Sequence, residues 1–207
     1  MERGSAPRLF GTNGIRGVPN RDLTVEFAQS IGKSIGTFFR AREVAMGRDT
    51  RLSGQMIMGA VQSGLNSTGG TDTVDLGILP TPALQYYCKN TGMPGVMITA
   101  SHNPPQYNGI KCIDSDGSEL AREKEREIEV IHHSGQFHSA DWNSVGGRNR
   151  WDSTAEELYV RGGWRPGYLW TGSGPLPSGW RWTRATVHLI GRALNYCPGT
   201  GGHRSRP

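Results

Sequence analysis

Apolar residues recur at every fourth position between residues 22 and 40, at Leu23, Phe27, Ile31, Ile35 and Phe39. That spacing predicts an amphipathic helix. The short apolar stretch at 44–46 runs into the polar sequence "GRDTR", which reads as a strand ending in a loop. Ser53 stands where a helix cap is expected, ahead of Ile57, Val61 and Leu65 on one helical face. A strand is expected over 71–76, then a helix through Cys88 with Pro82 in its first turn. Residues 95–99, "GVMIT", fit a buried strand. A strand at 109–113 with a "DSDG" turn and a charged helix over 119–131 complete the regular pattern. Strands alternating with helices predict an α/β layered domain with a largely parallel sheet.

Beyond residue 133 the pattern thins. Residues 133–150, rich in Gly, Ser, Asn and His, read as a linker, and Ser153 opens a short helical pattern, "STAEELYV", with Glu156 placed for a reciprocal cap. After Arg161 periodicity is lost. Three parts are therefore expected: a domain over 1–135, a linker and short helix over 136–161, and an irregular tail over 162–207.

Charge sharpens that division. The chain of 207 residues carries a net charge of +5. Its first 157 residues hold all 18 acids and sixteen Lys plus Arg, whereas the last fifty hold seven Arg and neither Lys nor acid. The basic character thus belongs to the tail. One reading of 162–207, with its ten Gly and four Trp, is an arm that contacts nucleic acid, Arg on phosphate and Trp on bases. The favoured reading is a non-native continuation, such as a shifted reading frame, which makes nucleic acid an unlikely partner. No apolar run is long enough for a membrane span, and the start lacks the apolar centre of a signal peptide. Three cysteines without metal spacing fit reduced thiols, so a cytoplasmic setting is expected.

Three polar loops, two of them glycine-bearing, lie near strand ends or the chain start: "FGTNGIRG" at 10–17, "GRDTRLSG" at 47–54 and "TASHNP" at 99–104. Ligands of open α/β sheets collect beyond the carboxyl ends of strands. Arg16, Arg48 and Arg51 are candidates to hold phosphate there by forked hydrogen bonds. The glycines at 11, 14 and 17 do not make the dinucleotide fingerprint and precede the first expected strand. "GKS" at 32–34 falls inside the amphipathic helix and is not a phosphate loop. Ser101 is the sharpest candidate, with a hydroxyl lifted from a strand end and stiffened by Pro104 and Pro105. It reads as a nucleophile, as a carrier of a phosphoryl group, or as part of a polar turn capped by Asn103. His102 is adjacent, and its side chain need not point at Ser101. Lys111 lies across the turn, placed to return toward Ser101 as a phosphate partner or proton donor. His132, His133 and His138 read as a solvated helix end rather than a metal site.

"TASHNPPQYNGIK" at 99–111 resembles the phosphoserine loop of the α-D-phosphohexomutases, the superfamily of phosphoglucomutase, phosphomannomutase and phosphoglucosamine mutase. "FGTNGIRG" and "GRDTR" resemble two further first-domain elements, in family order, and the likeness covers about 8–160. The resemblance implies a three-layer α/β/α domain with a mixed, largely parallel sheet. It implies that Ser101 is phosphorylated, exchanges phosphate with a hexose phosphate through a hexose bisphosphate, and supplies one ligand to Mg2+. It further implies that Arg16 and Lys111 contact the transferring group and assist proton transfer. His102 and Asn103 complete the loop, with Asn13 and Arg48 as support. Gln106 departs from the acidic residue common in related loops. The family's magnesium, sugar and second phosphate loops, which belong to later domains, have no counterpart here. The chain is therefore expected to be an inactive fragment, with an exposed domain interface that favours self-association.

Overall fold

The computed structural model describes residues 8–11, 14–147 and 149–159. Asn13 and the whole 162–207 tail, with both readings of it, lie outside the described residues.

Thr24 accepts a hydrogen bond from the Phe27 amide at 3.2 Å and opens α1 (Val25–Phe39). Leu23 is buried ahead of the helix rather than within it. Then follow β2 (Glu43–Arg48), α2 (Gly54–Asn66), β3 (Asp72–Ile78), α3 (Thr81–Thr91), β4 (Gly95–Ile98), β5 (Asn108–Ile113) and α4 (Arg122–Ser134). Three short elements frame them: β1 (Ile15–Gly17), β6 (Asn149–Trp151) and α5 (Thr154–Leu158). The strands form one sheet in the order β1-β5-β4-β2-β3-β6. β2 pairs in parallel with β3 and β4, β3 in parallel with β6, and β5 is antiparallel to both of its neighbours. The sheet is thus mixed and largely parallel.

Each face of the sheet buries its own helices. Val44, Met46, Val96, Ile98 and Ile110 meet Ile31 and Ile35 of α1, Ile57, Val61 and Leu65 of α2, and Ile128 of α4. The intervening strand positions, Ala45, Val74, Met97 and Ile113, meet Leu84, Tyr87 and Cys88 of α3 and Ala155 of α5. The period of two along β2 and β4 sorts side chains between the two cores and makes three layers. Full burial of each large aliphatic side chain contributes about 1.5–3 kcal/mol. "GKS" has a packing role: Gly32 in α1 faces Val61 and Gly64 of α2 so closely that a Cβ on it would clash with the Val61 carbonyl oxygen.

Several expectations are corrected. β1 falls inside the "FGTNGIRG" loop, which was expected to precede the first strand, and β6 falls at the end of the stretch read as linker. Strands of three residues on a sheet edge carry too few positions to register a period. The 136–147 segment also packs on the domain: the His138 amide donates to Thr37 Oγ1 at 3.0 Å, the Ala140 amide to the Ser67 carbonyl at 3.0 Å and the Gly146 amide to the Asn66 carbonyl at 2.8 Å. Ser53 and Ser153 occupy cap positions but make no side-chain cap bond. Ser53 Oγ accepts instead from buried Asn108 at 2.9 Å, and Asp152 accepts from the Thr154 amide at 2.8 Å. Among the described residues no helix is long and apolar enough to cross a membrane.

Candidate active site

β2, β3 and β4 run in parallel, so their carboxyl ends open along one edge of the sheet, where α/β ligands gather. At that edge β4 passes into the 99–107 loop, which returns as β5. The loop is two successive turns, with the Asn103 amide on the Ala100 carbonyl and the Tyr107 amide on the Pro104 carbonyl, each at 3.0 Å. Ser101 stands at the first turn with a left-handed φ of 55°. For a residue with a side chain this conformation costs about 1–3 kcal/mol and persists only when neighbours impose it. Its amide donates to Thr99 Oγ1 at 2.9 Å, and its side chain is exposed. Ser101 Oγ and His102 Nδ1 lie 3.0 Å apart. Although sequence adjacency alone did not require it, the imidazole reaches the hydroxyl.

Arg51 imposes much of this geometry, and its role differs from the one expected. Its Nη1 donates to the Pro104 and Tyr107 carbonyls at 2.8 and 2.9 Å, and its Nη2 to the Ser101 and Asn103 carbonyls at 3.0 and 2.8 Å. Its Nε donates to Asp49 Oδ2 at 3.0 Å. A guanidinium has five N–H donors, and all five are engaged by protein oxygens, so none is left to fork onto a phosphate. Asp49 is a residue that sequence reasoning passed over. It accepts from the Arg51 amide at 3.0 Å and from the Thr99 hydroxyl at 2.7 Å. The signal was present in "GRDTR": an Asp two residues before an Arg is placed for the Asx turn that forms here. Arg48, expected as phosphate support, does not line the pocket described next, and its aliphatic stem runs beside Gly54 at the start of α2.

In front of Ser101 opens a pocket of about 240 Å³, lined by Arg16, Thr99, Lys111 and Glu119 together with the first turns of α3. The register explains the convergence. Arg16 of β1 is paired with Gly109 of β5, and Lys111 follows two positions later, so all three lie on one face. Gly109 leaves a gap between the two cations, because a Cβ there would lie 2.8 Å from the Thr99 carbonyl oxygen. Gly14, at a left-handed φ of 86°, lets the incoming chain cross β5 where a Cβ would stand 2.7 Å from the Ile110 carbonyl. Arg16 Nη1 donates to Asn103 Oδ1 at 2.6 Å, and Lys111 is ion-paired with Glu119. The N-terminal approach is pinned by α4: Glu129 Oε1 accepts from the Leu9 and Phe10 amides at 2.8 and 2.7 Å, and Arg122 donates to the Gly11 carbonyl. The pocket thus presents the Ser101 hydroxyl with an imidazole at its oxygen, two cations, one of them paired with the Glu119 carboxylate, and a helix amino terminus. Those groups suit an oxyanion such as phosphate.

A divalent cation is less well served. Mg2+ takes six oxygens in near-octahedral geometry. Among the described residues no group of three or more His, Cys, Asp and Glu is placed to hold a metal. Ser101 can offer one oxygen, which does not make the site. His132, expected as part of a solvated helix end, is half-buried, with Nδ1 3.1 Å from Ser30 Oγ and its ring edge-on to Phe27. Burial, and then the neighbouring His133, lower its basicity.

Residues 7–139 match the sequence model of the phosphoglucomutase/phosphomannomutase alpha/beta/alpha domain I. The chain is 45% identical over 157 residues to the phosphoglucosamine/phosphogalactosamine mutase of Sulfurisphaera tokodaii, which covers 75% of this chain and 34% of that relative. It is 48% identical over 145 residues to a phosphoglucomutase/phosphomannomutase of Thermococcus kodakarensis, covering 67% and 32% respectively. The fold superposes on a phosphoglucomutase/phosphomannomutase family protein of Burkholderia thailandensis with a TM-score of 0.62 at 30% identity, covering 74% of this chain and 34% of that one. The chain therefore spans about a third of the length of the relatives it matches.

Proposed function

Because the chain belongs to the phosphoglucomutase/phosphomannomutase family, we propose that it is the phosphoserine-bearing domain of a hexose-phosphate mutase. The observation that supports this reading is the convergence of Ser101, Arg16 and Lys111 on one pocket. In the reaction, phosphorylated Ser101 gives its phosphoryl group to a free hydroxyl of a hexose monophosphate. The Ser101 Oγ–P bond breaks, a P–O bond to the sugar forms, the sugar hydroxyl releases its proton and Ser101 Oγ regains one. The resulting hexose bisphosphate turns over and returns its other phosphoryl group to Ser101. Such transfers need positioning and charge neutralisation more than covalent help. Arg16 neutralises the moving group and Lys111 delivers or accepts the proton. His102, at the Ser101 oxygen, takes the hydroxyl proton when Ser101 is the acceptor. A bound Mg2+ would add charge neutralisation at the phosphoserine, with its remaining ligands from outside the described residues.

Since the chain spans a third of its relatives, we infer that it accepts the phosphoryl group but does not by itself complete the cycle. Intact-mass measurement after incubation with glucose 1,6-bisphosphate tests this. The wild-type chain should gain one phosphoryl group and Ser101→Ala none. Equal gain in both, or none in the wild type, overturns the reading, and steady mutase turnover by the chain alone overturns the partial-cycle inference.

A further inference from the structure

We propose that Arg51 is a positioning residue for phosphoryl transfer, which clears carbonyl oxygens from the face on which Ser101 holds its phosphate. The proposal rests on the reading of Ser101 as the phosphoryl carrier. A nine-residue loop of two tight turns must direct its carbonyl dipoles somewhere, and a phosphoserine carries close to two negative charges. Carbonyl oxygens facing that group would repel it, whereas amides and cations attract it. Four of the loop's carbonyls, those of Ser101, Asn103, Pro104 and Tyr107, instead end on the one guanidinium at 2.8–3.0 Å. Neither Arg51 nor Asp49 lines the pocket that holds Ser101, so these oxygens are drawn toward a group outside it.

The remaining contacts fix the clamp in place. Arg51 and Asp49 are largely buried, with side chains 13% and 15% exposed, and their charges are paired at 3.0 Å. Asp49 also accepts a hydrogen bond from the Thr99 hydroxyl, which leaves a Thr99 Oγ1 lone pair free to accept from the Ser101 amide. The left-handed backbone of Ser101 is thus held by its carbonyl through Arg51 and by its amide through Thr99. Lysine cannot substitute, since an ammonium offers three donors and no planar fork. The role is indirect: Arg51 touches neither the transferring group nor the sugar, and acts by setting the orientation of the loop.

The test compares Arg51→Lys and Arg51→Ala with the wild-type 207-residue chain by two measurements. Amide hydrogen exchange should show lost protection at Asn103 and Tyr107 in both variants, with α1 and β2 to β4 unchanged. Phosphoryl acceptance from glucose 1,6-bisphosphate should slow by about a hundredfold at saturating donor, with little change in the donor concentration at half-maximal rate. A merely structural role would instead lower protection throughout the fold and leave the rate per folded molecule intact. Wild-type exchange in the 99–107 loop, or a wild-type rate in Arg51→Lys, overturns the proposal. If Arg51→Ala fails to fold, Arg51→Lys decides alone. If the wild-type chain takes up no phosphoryl group, the mutase reading fails and the exchange measurement still decides whether Arg51 sets the loop.

Discussion

Arg16 Nη1 donates to Asn103 Oδ1 across 2.6 Å, so the edge strand β1 and the loop that carries Ser101 hold each other by one charge-assisted hydrogen bond. Asn103→Ala removes the acceptor and frees Arg16 from the loop. Stability should fall by about 1.5–3 kcal/mol, the usual worth of a hydrogen bond to a charged group. Phosphoryl acceptance by Ser101 should slow by about tenfold as Arg16 loses its place. Urea denaturation and intact-mass time courses check the two effects, and an unaltered rate would show that Asn103 does not position Arg16.

Gly109→Ala should be more damaging than its one methyl group suggests. The added Cβ would stand 2.5 Å from the Ile15 carbonyl oxygen, 2.8 Å from that of Thr99 and 3.2 Å from Arg16 Cγ. Backbone cannot yield as a side-chain tip can, so a loss of about 1–3 kcal/mol is expected. The same variant should also impair phosphoryl acceptance, because the methyl group would enter the gap between Arg16 and Lys111. A denaturation midpoint equal to wild type would contradict this account.

Acid should loosen the join between α3 and the β6–α5 end. Burial pushes the Asp152 carboxyl up, but hydrogen bonds from Thr154, Tyr87 and Arg150 outweigh it and bring the pKa from 3.8 down to about 2. A folded pKa below the unfolded value means the stabilisation is complete above about 4 and is lost as pH falls toward 2. Asp152→Asn should flatten that part of the acid limb in urea midpoints measured at stepped pH. An acid limb identical to wild type would exclude Asp152 as its source.

The buried thiols should be inert. Burial raises Cys88 to about 12 and, with the added effect of nearby Glu125, Cys112 to about 12. The thiolate is the reactive form, so neither should be alkylated at neutral pH in the native chain. Peptide mapping after iodoacetamide treatment checks this, and rapid native labelling at either position would mean that its core opens.

The sequence was most legible where burial repeats. Ile31 and Ile35, or Val44 and Met46 against Ala45, betray their elements because each faces a packed layer at a regular interval. The candidate site was suggested by its motifs, and Ser101, Arg16 and Lys111 line one pocket. What escaped was partnership. Arg48 and Arg51 look alike in "GRDTR", yet only Arg51 meets the loop carbonyls, which lie some fifty residues away along the chain. Glu119 was read as the start of a charged helix, but the helix begins at Arg122, and Glu119 precedes it to pair with Lys111. Such pairings depend on sheet register, which no local pattern encodes.

β1 reaches its position only through distant partners: Ile15, Arg16 and Gly17 pair with Ile110, Gly109 and Asn108, and Glu129 holds the Leu9 amide from 120 residues away. Contacts that close such long loops form late, after the local parallel units have paid for chain closure. Pulse-labelled hydrogen exchange during refolding should therefore protect the β2 and β4 amides before those of Ile15–Gly17. The order has a meaning for a chain still being synthesised. Arg16 leaves the ribosome ahead of the strand it pairs with, yet it must wait for nearly the whole domain before it meets Ser101.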